Sequence, residues 1–211
     1  MIKRYLALVL SILCLLTWSG GTALAAGTIF LSQGDTTFLY LNKKEVRYVH
    51  DDETISFLLQ KGGRLLLTDG RGSRAFLEFA AYDGTTDGVG YAVRKLCSAN
   101  PNNTFYEILA DAGAHGENVG YWVIGKRDGR WVKYVTIDSL AAIGYNAHSW
   151  HRIRSEIKAG ELVVISTREY IAPGSKDDSK TELVDDWKFQ LNWDEEGSRF
   201  EIKCVTGDGS H

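Results

Sequence analysis

His148-Ser149-Trp150-His151 is the cluster in this chain with the clearest potential for chemistry. Two imidazoles three residues apart share a face if the segment is helical, and neutral imidazoles are good ligands for zinc. A hydrolytic zinc site needs a third protein ligand and an open position for water. His115 and Asp111, in a glycine-rich loop, are the candidates to supply that ligand. The chemistry implied is metal-assisted hydrolysis near His115, His148 and His151. The plainer reading is an ordinary helix start, because two ligands without a third make no site.

The remaining motifs carry less. No G-x-S-x-G, P-loop, H-E-x-x-H or C-x-x-C occurs. Gly70-Arg71-Gly72-Ser73-Arg74-Ala75 imitates a loose dinucleotide fingerprint, but no succession of βαβ units surrounds it. Asp83 and Asp87 in one loop, and Asp111 and Glu117 in another, are too sparse for a calcium loop and are explained by turn chemistry. No cofactor is expected, and no residue is assigned a catalytic role. Cys97 and Cys204 are the cysteines outside the first 25 residues. In an oxidising compartment such a pair invites a disulfide, worth about 4–5 kcal/mol for so long a loop.

That compartment is indicated by the N-terminus. Lys3 and Arg4 precede an apolar run from Tyr5 to Trp18, and Ala23-Leu24-Ala25 puts alanine at −3 and −1 of a cut after Ala25. This order marks a bacterial-type secretory signal peptide over 1–25, with the working protein periplasmic or secreted. The run is short for a membrane span, and after signal cleavage the chain is not expected to cross a membrane. Removing the segment takes the formal net charge from −3 to −5. With no basic run, nucleic acid is not an expected partner.

The elements that must position these residues read as β from end to end. Phe38–Leu41, Val46–Val49, Ile55–Leu59 and Arg64–Thr68 are strand candidates, the last two joined by Lys61-Gly62-Gly63. Tyr121–Ile124 and Trp131–Val135 predict a hairpin around Asp128-Gly129, a pair suited to positive φ. Trp187, Phe189, Leu191 and Trp193 alternate with polar residues, turn at Asp194–Gly197, and are answered by Phe200, Ile202 and Cys204. Phe76–Phe79 and Val89–Val93 are echoed about 30 residues later by Phe105–Ile108 and Val119–Val123, which suggests a repeated strand–loop–strand unit. Ala75–Ala81 also reads as a short helix on composition alone. One helical interruption is expected over about 138–159: a turn at Leu140–Ile143, then a helix with Trp150, Ile153 and Ile157 on one stripe, ended by Gly160. Glu161–Tyr170 resumes as strand, Pro173–Lys180 reads as a mobile loop, and 206–211 as a disordered tail.

The expected architecture is a single mainly β domain over 26–205, an antiparallel sandwich or open barrel built from hairpins with one or two short helices. A split near Asn100-Pro101-Asn102 is the alternative arrangement. The expected function is a non-catalytic envelope or extracellular module that binds a protein or glycan. The alternative is the exported metal-assisted hydrolase.

Overall fold

The computed structural model describes residues 30–40, 46–49, 54–80, 89–111, 118–143, 151–171 and 181–206. Residues 1–29, the segment Pro173–Lys180 expected as a loop and residues 207–211 of the expected tail lie outside these residues, as do His115 and His148, whereas Thr206 of that expected tail ends a strand.

Thirteen strands and one short helix make up the described chain, and each strand pairs antiparallel. Four short strands come from segments rich in leucine and aromatics: β2 (Val46–Val49), β3 (Ile55–Leu59), β4 (Leu65–Asp69) and β5 (Ala75–Phe79). They form one sheet in sequence order. Gly62 and Gly63 turn β3 into β4 at φ 98° and 74°, a region that an L side chain rarely enters. Ala75–Phe79 is therefore strand and not helix, and the glycine-rich stretch before it is the β4–β5 turn. Ser73 N–H donates to Asp69 Oδ1 there at 2.6 Å.

Five longer strands form a second sheet in the order β1 (Phe30–Tyr40), β6 (Gly90–Ser98), β7 (Thr104–Asp111), β8 (Asn118–Arg127) and β9 (Arg130–Thr136). The third sheet is β10 (His151–Lys158), β11 (Glu161–Ile171), β12 (Thr181–Asp194) and β13 (Arg199–Thr206). Among the described residues the chain adopts the mainly β, antiparallel, sandwich-like architecture expected from sequence, with no closed barrel and one helix, α1 (Ile137–Ala141). Thr136 caps α1, its hydroxyl accepting from Ser139 N–H.

Two cores flank the five-stranded sheet. On one face, Phe105, Tyr121, Val123 and Val135 pack with Leu162, Val164, Phe189, Leu191 and Trp193 of the third sheet. On the other, Tyr91, Tyr106, Ile108, Trp122 and Ile124 pack with Phe57, Leu59, Leu65, Leu67 and Phe79 of the first. The middle sheet is thus covered on both sides, a three-layer stack. That is why β7 and β8 read as apolar runs without clean alternation: every side chain from Phe105 to Ile108 is buried. The turn at Asn100–Asn103 joins β6 to β7 inside this sheet, so Asn100-Pro101-Asn102 does not separate two units.

Two sequence expectations are corrected by pairing. Residues 151–158 are strand β10, not the second half of a helix. Ile153, Ser155 and Ile157 take one face, and every residue from His151 to Lys158 pairs with β11. Ala159 and Gly160, at φ 52° and 84°, form the hairpin turn, so the glycine ends a strand. The sequence echo is not a structural repeat. β7 and β8 pair as a hairpin, whereas β5 belongs to the first sheet and β6 to the second.

Cys97 and Cys204 are not bridged to each other, and both are half-buried. Pleating turns Cys97 away from Leu96, which faces the third sheet, while Cys204 packs into that same layer from β13. In this arrangement the thiols are on opposite faces of the middle sheet. Unfolded, unreduced protein is expected to label at both cysteines with iodoacetamide. A species that labels only after reduction would show a bridge and a rearranged packing.

Candidate functional site

Among the described residues, a cleft of about 410 Å³ opens where the edge of the first sheet meets β8, β9 and α1. Its lining is Glu78, Ala80, Gly120, Trp122, Lys133, Thr136, Ile137 and Asp138. That volume falls within the range of about 300–1,000 Å³ usual for small-ligand sites.

A β-bulge shapes the cleft. Val123 pairs with Val135 but Ile124 pairs with Lys133, so Tyr134 is an extra residue on β9. Strict alternation from Val135 would send Tyr134 toward the first sheet and Lys133 into the opposite core. The bulge reverses this. Tyr134 joins the aromatic cluster facing the third sheet, 4.8 Å from Trp193 between ring centroids. Lys133 comes to the cleft side, its ammonium 4.9 Å from the Phe79 ring centroid and donating to the Glu78 carbonyl at 2.5 Å. Burial holds the Lys133 pKa below the ordinary lysine value, and the nearby Glu78 charge opposes part of that shift.

The floor is apolar. Trp122 packs edge-on to Phe79 at 5.4 Å, and its ring lies across Gly120. A Cβ added at Gly120 would come within 2.1 Å of the indole, so only glycine lets the ring lie there. Asp138 supplies a carboxylate at the rim, whereas Glu78 offers its backbone carbonyl there and turns its side chain to the outer face of the first sheet, bonded to Arg64 at 3.1 Å.

A second polar feature is buried between the middle and third sheets. Arg94 Nε donates to Glu107 Oε2, and Ser155 Oγ donates to the same oxygen at 2.9 Å. The Glu107 side chain is 0% exposed and that of Arg94 15%. Tyr121 lies beside this carboxylate, and burial, reinforced by the Glu107 charge, pushes its phenol well above the usual tyrosine range. Neither Glu107 Oε1 nor the Tyr121 hydroxyl has a hydrogen-bond partner of good geometry. This closed cluster ties three strands together and opens into no described cavity, so it reads as structural.

The residues singled out from sequence fall elsewhere. His115 and His148 lie outside the described residues, as do Asp83, Asp87 and Glu117. His151 opens β10 with its backbone paired to Arg168, in the third sheet. Asp111 closes β7 in the middle sheet, paired with Gly90 and Asn118. The helical spacing that put His148 and His151 on one face does not hold at His151, because that segment is strand. Among the described residues no three His, Cys, Asp or Glu side chains gather closely enough to hold a metal ion. No described helix is long and apolar enough to cross a membrane, which leaves membrane β-barrels unaddressed.

Sequence reasoning missed the cleft. Glu78, Lys133 and Asp138 belong to no motif, and Trp122 could not be oriented from a strand whose neighbours are apolar on both sides. The one available signal was Gly120 two residues before Trp122, where a glycine in a strand marks a close approach. Comparison with known proteins finds no matching family model, and no curated protein or solved structure with significant similarity to the chain.

Proposed function

We propose that this chain is an exported, non-catalytic β domain of the cell envelope or extracellular space that binds a glycan in the Trp122–Lys133 cleft. The observation that carries this reading is the composition of the cleft. The Trp122 indole, seated across Gly120 and 7% exposed, lies at its base, and the Lys133 ammonium and the Asp138 carboxylate stand at its rim. Sugar rings present C–H faces that pack on aromatic surfaces and hydroxyls that pair with such polar rims. The export-type N-terminus supports the location, since polysaccharides are abundant ligands outside the cytoplasm. Of the three histidines of the metal-assisted hydrolase alternative, only His151 lies among the described residues.

The test uses processed protein from the native host, with Ala26 expected as its first residue by mass spectrometry. Intact Met1 in membrane-bound material would overturn export. On an array of envelope and extracellular polysaccharides, the protein is expected to retain at least one saccharide without shortening it. Retention should fall at least tenfold in Lys133→Met/Asp138→Asn, whose side chains lie at the exposed rim. Retention unchanged in that variant would overturn the cleft as the site. Release of shortened saccharide would overturn the non-catalytic reading.

A further inference from the structure

We infer that the ligand of the cleft is a neutral saccharide, whose hydroxyls bridge the ammonium of Lys133 and the carboxylate of Asp138. This rests on the glycan-binding reading and narrows its ligand class by charge.

Charge balance is the first argument. The Asp138 carboxylate of the lining is offset by the Lys133 ammonium, while Glu78 turns its carboxylate to Arg64 at 3.1 Å on the outer face of the first sheet. An anionic ligand would meet Asp138, and a cationic one would meet Lys133, so either sign encounters a like charge inside one small cleft. A neutral ligand avoids both penalties.

Hydrogen-bond capacity is the second. Lys133 carries three N–H donors and gives one to the Glu78 carbonyl, which leaves two. The Asp138 side chain is exposed at the rim, where its carboxylate can accept hydrogen bonds. A carboxylate can only accept and an ammonium can only donate, so a ligand serving both needs groups that do either. Hydroxyls do both, and a pyranose carries several around one ring.

The third argument is shape. Trp122, Gly120, Ala80 and Ile137 form an apolar floor beneath the polar rim. A pyranose has this two-sided character, with C–H groups on its faces and hydroxyls at its edge. A fully charged polymer segment has no use for the floor, and a purely apolar ligand would leave Lys133 and Asp138 desolvated without partners.

The experiment compares matched neutral and charged trisaccharides on the processed full chain, by isothermal calorimetry and tryptophan fluorescence. Trigalacturonate is set against its fully methyl-esterified, neutral form, and chitotriose against its fully deacetylated triamine. At least one neutral trimer is expected to bind, at least tenfold more tightly than its charged counterpart. Lys133→Met and Asp138→Asn should each weaken it at least tenfold, with thermal melts confirming that both variants fold. A charged trimer binding as tightly as its neutral match would overturn the neutral class while leaving glycan binding in place. Binding untouched by both substitutions would overturn the cleft. Failure of every trimer, together with an array that retains no saccharide, would overturn both readings.

Discussion

Arg94→Met is expected to destabilise the protein by about 3–5 kcal/mol, the cost typical of removing one member of a buried ion pair. Arg94 and Glu107 sit directly opposite each other on β6 and β7, on the face that packs against the third sheet. Glu107 is the one charged side chain in the buried set, with Ser155 of β10 as its other donor. Without the guanidinium, a carboxylate is left in a dry layer with one hydroxyl to solvate it. For a chain of this length the loss corresponds to a fall in Tm of roughly 6–20 °C. Urea denaturation followed by tryptophan fluorescence measures it directly. Arg94→Met/Glu107→Leu should recover most of the loss, because an apolar pair of similar volume removes the orphaned charge. A change below about 1 kcal/mol in the single variant would mean that water reaches Glu107 and that the cluster does not lock the layers.

Phe105→Ala should cost a similar amount, about 3–5 kcal/mol, by a different route. Phe105 is 1% exposed, and its ring centroid lies 4.8 Å from Trp193, 5.2 Å from Phe200 and 5.9 Å from both Phe30 and Tyr134. These rings come from β1, β9, β12 and β13, so one truncation opens a void at the junction of two sheets. Gly125 makes room for the cluster, since a Cβ there would meet Phe105 at 2.7 Å and Tyr134 at 3.0 Å. Near-UV circular dichroism should lose intensity together with stability. Val205→Ala, at a position 40% exposed on the last strand, should stay within about 0.5 kcal/mol. If Phe105→Ala matched that control, the aromatic cluster would not be a unit of stability.

Local chemistry was legible wherever one short segment decided the outcome. Asp128-Gly129 sits at φ 50° and 73°, as the hairpin turn expected there demands. The alternation of Trp187, Phe189, Leu191 and Trp193 placed all four toward one core, because the residues between them on β12 are polar and the pleat then assigns faces. The stretch at 151–158 was ambiguous for a definite reason. Ile153 and Ile157 are four residues apart, a spacing that satisfies both a helical stripe and a strand face, and Ser155 between them did not break the tie. Pairing with β11 broke it, and β11 lies on the far side of the turn at Ala159-Gly160.

What the sequence by itself determined, then, is the β class, the best hairpins and their inward faces, all set by patterns that repeat within a few residues. Tertiary structure alone decided that the middle sheet would be covered on both sides and that β5 and β6 would part company despite resembling β7 and β8. It also decided that a bulge at Tyr134 would deliver Lys133 to a cleft with Glu78, 55 positions earlier in the chain, and Asp138. Every strand here could pair acceptably with many others, since backbone hydrogen bonds are the same everywhere. The choice among partners is made by the apolar area buried across whole sheets, a sum over residues distant in sequence that no local window contains.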